Sequence, residues 1–150
     1  MVDTRHIRCL FPNSQCAVAS PRTTDYNCIA WAAEDTTRWW SPEQRYYWPP
    51  GSERRRTKEC FIEVFRTLGY EPCESAELES DCEKVAIYVD LLNRPTHMAR
   101  QLSSGWWTSK LGGLEDVIHR TLSEIEGAGI PDDRDYGRVA IFLKRPKTRV

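Results

Sequence analysis

The sequence has no hydrophobic run that could cross a membrane and no excess of charge of one sign. A membrane-spanning helix needs about 20 consecutive apolar residues, and no stretch of this chain approaches that length. The formal net charge is −1, although 29% of the residues are charged, so no overall field attracts nucleic acid or an anionic membrane. We therefore expect neither nucleic acid nor a membrane as a partner. The first residues lack the apolar core of a secretion signal, which favours a cytoplasmic location, with non-classical export as an effector or toxin as the alternative.

The cysteines lack the spacing of a structural zinc site. There are six of them, and no two form a Cys-x-x-Cys pair. Disulfides would be expected in an exported protein, but the cytoplasmic interpretation favours free thiols. The length of 150 residues is typical of one domain. We therefore predict a single domain over residues 1–150 that needs no metal or other cofactor, and the sequence leaves its oligomeric state open.

Hydrophobic periodicity predicts an α+β fold. Apolar residues recur at helical spacing over residues 28–40 and 57–68, and a third helical pattern covers residues 114–125. Runs rich in β-branched residues predict an antiparallel sheet, with a hairpin turn at Ser103-Ser104-Gly105. The predicted strands are at residues 84–90, 95–102, 105–111 and 136–144.

Cys28 lies where a short polar segment opens into the first predicted helix. The sequence there is Asp25-Tyr26-Asn27-Cys28-Ile29-Ala30-Trp31-Ala32, in which Asp25 or Asn27 can cap the helix. The N–H groups of a first helical turn and the helix dipole favour a thiolate, so we expect a lowered pKa for the Cys28 thiol. A nucleophilic cysteine also needs a base, and His97, on the second predicted strand, is the candidate.

A helix with cysteine, a second helix and an antiparallel sheet with histidine form an order that resembles the papain-like cysteine hydrolases. Four motifs carry the resemblance: Glu83-Lys84-Val85-Ala86-Ile87, His97-Met98-Ala99, Trp107-Thr108-Ser109-Lys110-Leu111-Gly112 and Tyr136-Gly137-Arg138-Val139. A similar order occurs in compact bacterial NlpC-type amidases and in papain-fold toxin and deamidase domains. The Asn-Cys-Ile-Ala-Trp-Ala and Trp-Thr-Ser-Lys-Leu-Gly segments also resemble an uncharacterised bacterial family. The resemblance implies a Cys28 nucleophile, a His97 base and a third polar residue that orients the imidazole.

The third catalytic residue is the point at which the chain departs from the papain pattern. Alignment of the Ser-Lys-Leu-Gly segment places Ser109 where papain-like enzymes have asparagine. Pairing through the hairpin turn sets His97 opposite Ser109 or Lys110, and repulsion between Lys110 and a protonated imidazole favours Ser109. The alternatives for this role are Asp90, Asp116 and His119.

Three further residues are predicted to support the site. Asn27 is a candidate oxyanion donor beside the nucleophile, as well as a candidate helix cap. Trp48 belongs to the proline-rich loop 41–52, whose aromatics predict either a wall over a substrate cleft or a packed cluster. Trp107 lies on the third predicted strand, where it either shields the catalytic histidine from water and contacts substrate or belongs to the core.

Together these residues predict a cysteine-dependent hydrolase or acyl-transfer enzyme that acts on an amide bond of a peptide or protein substrate. Peptidase, amidase and glutamine deamidase all use this chemistry, and the sequence does not choose among them. The rival prediction is a non-catalytic interaction domain that keeps a papain-like fold and binds a protein through the loop aromatics.

Overall fold

The computed structural model describes residues 17–127 and 135–147, which form an α+β fold. Within these two stretches, two short helices and one 3-10 helix accompany seven strands. None of the helices described is long and apolar enough to cross a membrane. In chain order the elements are β1 Ala17–Ser20, α1 Cys28–Ala32, α2 Lys58–Arg66, β2 Glu71–Cys73, β3 Cys82–Val89, β4 Pro95–Gln101, β5 Trp107–Lys110, β6 Asp116–His119, the 3-10 helix Leu122–Ile125 and β7 Arg138–Pro146.

The strands form one antiparallel sheet with a core on each face. Their order is β1-β6-β5-β4-β3-β7-β2. Side chains alternate between the two faces, so β3 contributes to both cores. Val85, Ile87 and Val89 pack with the helices on what we call the helix face. Ala86 and Tyr88 point to the opposite side, which we call the far face.

α1 is much shorter than the helix predicted over residues 28–40. Asn27 caps its start, which confirms one of the two predicted caps. Beyond the helix, Glu34 adopts a left-handed φ of 64°. The Asp35 carboxylate then accepts hydrogen bonds from the residues that follow, including one from the Trp40 indole N–H at 2.8 Å. These local hydrogen bonds give the polar groups after Ala33 partners without another helical turn. α1 therefore ends after one and a half turns.

α2 confirms its prediction to within two residues at each end. The Thr57 side chain accepts a hydrogen bond from the Cys60 N–H at 3.2 Å and caps the start. Gly69, with a φ of 94°, follows the last turn in the left-handed conformation that commonly ends a helix. Phe61 and Phe65 are buried against the sheet. The helix therefore covers the helix face, as its amphipathic pattern indicates.

The predicted strands are confirmed as β3, β4, β5 and β7, whereas the helix predicted over residues 114–125 is wrong. That segment forms β6 and then the 3-10 helix. Its apolar spacing fits a helix, but the β-branched Val117 and Ile118 pair with β5 and gain the ladder hydrogen bonds. The patterns also miss β1 and β2, which are edge strands of only four and three residues.

β4 and β5 separate towards one end of the sheet. Their pairing starts at the hairpin turn and extends only as far as Arg100↔Thr108. α1 packs against both strands near this point. The Trp31 indole N–H donates to the Thr108 hydroxyl at 3.0 Å, and the Arg100 guanidinium donates to the Trp31 carbonyl at 3.3 Å. The start of α1 therefore lies beside the part of β4 that carries His97.

Candidate functional site

A cavity of about 660 Å³ lies where β4 and β5 separate. Its volume is within the usual range of small-molecule and substrate sites. Cys28, at the start of α1, and His97, on β4, both line it. The structure therefore brings the predicted nucleophile and the predicted base to one cavity. Other parts of the wall come from loops that the sequence patterns do not connect: Ser41, Arg56, Asp90, Arg94 and Tyr136.

Burial raises the pKa of the Cys28 thiol above its ordinary value. The Met98 backbone N–H and the positive charge of Arg56 act in the opposite direction, but burial outweighs them. The predicted lowering of this pKa by the first helix is therefore wrong. α1 has only five residues, so its dipole is weak, and the half-buried Cys28 side chain packs against the core of the helix face while it lines the cavity. At neutral pH the resting thiol is protonated.

His97 is enclosed by two tyrosine rings on the far face, and only 1% of its surface is exposed. It stacks on Tyr136, with 4.1 Å between ring centroids and 9° between ring planes, and meets Tyr88 edge-on at 5.3 Å. Neither of its ring nitrogens has a hydrogen-bond partner within the described stretches. Burial lowers the pKa of His97 well below 6.5, so the imidazole is neutral.

Cys28 and His97 share the cavity without a direct hydrogen bond, since both imidazole nitrogens lack a partner in the described part of the chain. Both groups are neutral, so no ion pair draws them together. In enzymes without substrate, catalytic hydrogen bonds are often long and tighten only in the complex. The geometry is therefore that of a shared site and not of a preformed thiolate–imidazolium pair.

The strand register separates Ser109 from His97. The pair Arg100↔Thr108, continued by one residue, sets Ser109 level with Ala99. The predicted register, with Ser109 opposite His97, is therefore wrong by two residues. The turn fixes the register: the Leu102 N–H donates to the Trp106 carbonyl at 2.7 Å, and pairing counted from that bond puts Ser109 level with Ala99, whatever the charges on the strands.

Ser109 instead bonds to His119 on the neighbouring strand. The Ser109 hydroxyl lies 2.8 Å from Nε2 of His119, and Nδ1 of His119 lies 2.8 Å from the Thr121 carbonyl. Because a carbonyl oxygen only accepts, Nδ1 carries the hydrogen, and the Ser109 hydroxyl donates to Nε2. Both nitrogens of His119 are thus engaged in a buried structural network. The predicted role of Ser109 as the residue that orients the catalytic histidine is wrong for this geometry.

The alternatives for the third role do not bond to His97 either. Asp90 lines the cavity, but its carboxylate accepts N–H groups of the following turn at 2.9 and 3.0 Å. Asp116 is buried and accepts a hydrogen bond from the Tyr26 hydroxyl at 3.2 Å. His119 is near enough to contribute to the lowered pKa of His97, after the larger effect of burial. The four candidates are therefore neighbours or parts of the scaffold, and none holds the imidazole by a hydrogen bond.

Asn27 holds the structure around the cysteine. Its side-chain oxygen accepts from the Ala30 N–H at 3.2 Å and from the Trp40 N–H at 3.1 Å, and its amide donates to the Trp40 carbonyl at 2.6 Å. The capping prediction is confirmed. Oxyanion donation by Asn27 stays a prediction, and it would use the remaining N–H of this amide.

Both tryptophans that were predicted to contact substrate belong to the core. Trp48 is 3% exposed, packs on Phe61 with 5.3 Å between ring centroids, and donates to the Glu53 carbonyl at 2.9 Å. Trp107 is also 3% exposed and lies in the core of the far face. Neither is among the cavity-lining residues, so the substrate-contact prediction is wrong for both. An indole removes a large apolar area from water when it packs, which favours the core over an exposed wall.

Two important cavity residues, Arg56 and Tyr136, are not among the site residues predicted from the sequence. Arg56 ends a basic run at residues 54–56, a pattern typical of a solvated face, yet it reaches the cavity wall. Tyr136 precedes β7 and fits an ordinary strand pattern, yet it covers His97. Arg56 belongs to no motif that joins it to Cys28. Tyr136 belongs to a motif of the papain-like resemblance that gives it no role at the site, so the folded chain is needed to place both residues there.

Among the described residues, one cluster of potential metal ligands lies outside the cavity. Ligand atoms of Glu79, Asp81 and Cys82 are within 4.8 Å of one another. The Glu79 carboxylate already pairs with Lys84 at 2.6 Å and with Lys144 at 3.2 Å. These lysines neutralise the charge that a cation would need, so the cluster is better explained as an ion-pair network around Glu79, in which Lys84 is fully buried and Lys144 is exposed.

Comparison with known proteins returns a family without an assigned activity. No curated protein matches the chain. No solved structure matches it either. One family model, described as a domain of unknown function, matches residues 17–144, a span that runs from β1 to near the end of β7. The chain therefore belongs to the DUF7689 family.

Proposed function

We propose that the protein is a cysteine-dependent hydrolase or acyl-transfer enzyme that acts on an amide bond, with Cys28 as nucleophile and His97 as general base. The observation that carries the proposal is that both residues line one cavity, while neither nitrogen of the buried imidazole has a hydrogen-bond partner in residues 17–127 and 135–147. A buried polar group without a partner is costly and therefore uncommon outside functional sites. A helix that begins with cysteine and packs on an antiparallel sheet that carries histidine also supports a papain-like arrangement.

The proposed reaction starts from a neutral thiol and a neutral imidazole. As the Cys28 sulfur attacks the carbonyl carbon of the amide, its proton passes to a ring nitrogen of His97, and the carbonyl oxygen becomes an oxyanion. The proton then moves to the leaving nitrogen, the carbon–nitrogen bond breaks, and a thioester remains. A water molecule then gives a proton to His97 while its oxygen bonds to the thioester carbon. The carbon–sulfur bond breaks, a carboxylic acid leaves, and His97 returns the proton to the sulfur. An amine in place of water gives acyl transfer.

Backbone N–H groups near the thiol support the oxyanion step. Those of Met98, Ile29 and Cys28 itself all favour negative charge on the sulfur. Donors that stabilise a thiolate also lie near the carbonyl oxygen of a group bound to that sulfur. Asn27 is a further candidate donor. The proposed mechanism can therefore stabilise the oxyanion with neutral backbone and amide N–H groups and needs no additional charged group.

Two tyrosines supply the orientation that a third catalytic residue usually provides. Tyr136 stacks on the face of His97 and Tyr88 meets its edge, so the ring plane is constrained without a hydrogen bond. We assign these tyrosines as positioning residues. Because burial disfavours the charged imidazole and no described carboxylate is hydrogen-bonded to it, His97 takes a proton only transiently during the reaction.

Formation of a covalent acyl-enzyme tests the proposal. The protein is incubated with peptide anilides, glutamine-containing proteins and crosslinked peptides, and intact-mass and peptide-mapping spectrometry follow the adduct. We expect an acyl group on Cys28, no adduct or turnover in Cys28→Ala, and a loss of at least about 100-fold in rate in His97→Gln. Cys82→Ser is the matched control, because Cys82 lies outside the catalytic cavity.

Equal turnover in Cys28→Ala would exclude the cysteine mechanism. The absence of any adduct across the amide panel would favour the rival function, a non-catalytic interaction domain. In that case the loop would offer only the half-buried Tyr46 and Tyr47 for binding, and not Trp48. Trp48 is buried, and Tyr47 packs on Trp40 with 5.0 Å between ring centroids.

A further inference from the structure

Arg56 is fixed at the cavity wall by three partners. Its guanidinium donates to the Ser41 hydroxyl at 3.0 Å, the Pro95 carbonyl at 3.4 Å and the Glu43 carboxylate at 3.3 Å. Ser41 is buried, and Pro95 begins β4 two residues before His97. The three anchors come from the preceding loop and from the sheet, so the position of the cation is set by the fold.

The charge of Arg56 acts on the same part of the cavity as the reactive groups. Arg56 lines the cavity together with Cys28 and His97, and it favours the thiolate form of Cys28 against the opposing effect of burial. A second arginine of the wall, Arg94, pairs with Asp90 at 3.1 Å and is thereby compensated within the cavity. Arg56 instead pairs with the Glu43 carboxylate, which does not line the cavity.

Glu43, the acidic partner of Arg56, lies on the surface. The Glu43 side chain is 55% exposed and the Arg56 side chain 38% exposed, and pairs between exposed side chains contribute little because water and salt screen them. A carboxylate that binds inside the cavity is screened less and competes well for the same guanidinium. Arginine also offers planar pairs of N–H groups that match a carboxylate.

We propose that Arg56 makes this end of the cavity an anion subsite, so that the preferred substrate carries a carboxylate near its reacting carbonyl. A second observation indicates a ligand here: His97 lines the same cavity, is buried, and has no hydrogen-bond partner among the residues described. The identification of the ligand as a substrate rests on the proposed function. The subsite itself does not depend on turnover.

Alkylation of Cys28 by a charged and a neutral reagent of the same size tests the subsite. Iodoacetate carries the carboxylate and iodoacetamide does not, and peptide mapping gives the rate for Cys28 alone. We expect Arg56→Gln to lower the ratio of the iodoacetate rate to the iodoacetamide rate by about 10-fold, and Arg56→Lys to lower it less because the charge is kept. Arg55→Gln is the matched control, since Arg55 pairs with the exposed Glu53 at 2.8 Å and does not line the cavity.

Glu43→Gln provides a change in the opposite direction. Removal of the surface carboxylate frees Arg56, so the iodoacetate preference of Cys28 is expected to rise by a few fold. This variant keeps the inference testable if Arg56→Gln does not fold. An unchanged ratio in both variants, or a Cys28 that neither reagent labels, overturns the subsite.

The labelling ratio also separates this inference from the proposed function. A ratio that depends on Arg56, in a protein that forms no acyl-enzyme, supports the anion subsite and contradicts the hydrolase. Acyl-enzyme formation with amides that carry a carboxylate and with their methyl esters at equal rates, together with an unchanged labelling ratio, supports the hydrolase and overturns the subsite.

Discussion

Replacement of Trp48 by alanine distinguishes a core residue from a substrate wall. The indole is 3% exposed, packs on Phe61 and donates a hydrogen bond to the Glu53 carbonyl. Truncation of a buried Trp to Ala typically costs about 3–5 kcal/mol of unfolding free energy, because apolar contacts are lost and a cavity remains. In a domain of this size each kcal/mol corresponds to about 2–4 °C. We therefore expect a fall in melting temperature of roughly 6–20 °C.

Thermal unfolding followed by circular dichroism measures this fall, and urea unfolding gives the free energy. Trp106→Ala is the matched control, because Trp106 is 39% exposed on the hairpin between β4 and β5. Surface substitutions usually change the unfolding free energy by less than about 0.5 kcal/mol, so the control is expected to move by only a degree or two. If Trp48→Ala melted within about 3 °C of the parent and lost reactivity at Cys28, the assignment of Trp48 to the core would be refuted.

Three other perturbations test separate features. Burial lowers the pKa values of His97 and His119, so below about pH 6.5 the unfolded chain binds protons at these histidines that the folded protein does not bind. The unfolding free energy is therefore highest above about pH 6.5. Below that pH it decreases by up to about 1.4 kcal/mol per pH unit for each histidine. Urea titrations at pH 7.5 and 5.5 measure the slope, and His97→Gln is expected to flatten it, whereas an equal slope in parent and variant would contradict the assignment. Ser109→Ala removes the donor to Nε2 of His119, so we expect it to lower the unfolding free energy by about 1–3 kcal/mol. The protein that stays folded is expected to lose little Cys28 acylation. A loss of activity as large as that of His97→Gln would instead indicate that Ser109 is a catalytic residue. Gly137→Ala would place a Cβ atom 1.9 Å from the Val89 carbonyl at a φ of +70°, so little folded protein is expected in a soluble-expression and melting assay, and a normal melting temperature would contradict the close approach.

Sequence patterns predict the elements whose local signal and tertiary environment agree. In β3, the run Val85-Ala86-Ile87-Tyr88-Val89 is β-branched and aromatic, and the strand is buried on both faces. α2 has a cap, an apolar stripe and a terminating glycine that all indicate one helix. The segment 114–125 fails because apolar residues at helical spacing also fit a strand followed by a tight turn. Only the pairing with β5 decides between the two, and that pairing is non-local.

The sequence predicts the two central residues of the candidate site but not the residues that surround them. Cys28 and His97 do line one cavity, which chain order and residue type suffice to predict. The raised pKa of the thiol depends on how completely its neighbours enclose it, and no local pattern carries that information. Arg56 reaches the cavity from a basic run that fits an exposed face equally well. Such assignments require the packed structure.

The position of β7 sets the order in which the cavity can be assembled. β7 is late in the chain but lies inside the sheet, between β3 and β2, and Tyr136 just before it covers His97. During synthesis the domain emerges from its N-terminal end, so Cys28 and His97 leave the ribosome well before their cover exists. Until β7 inserts, β3 has one unpaired edge and the imidazole has one exposed face. A nascent chain therefore cannot possess the finished cavity, and any reactivity that depends on it begins only after β7 is in place.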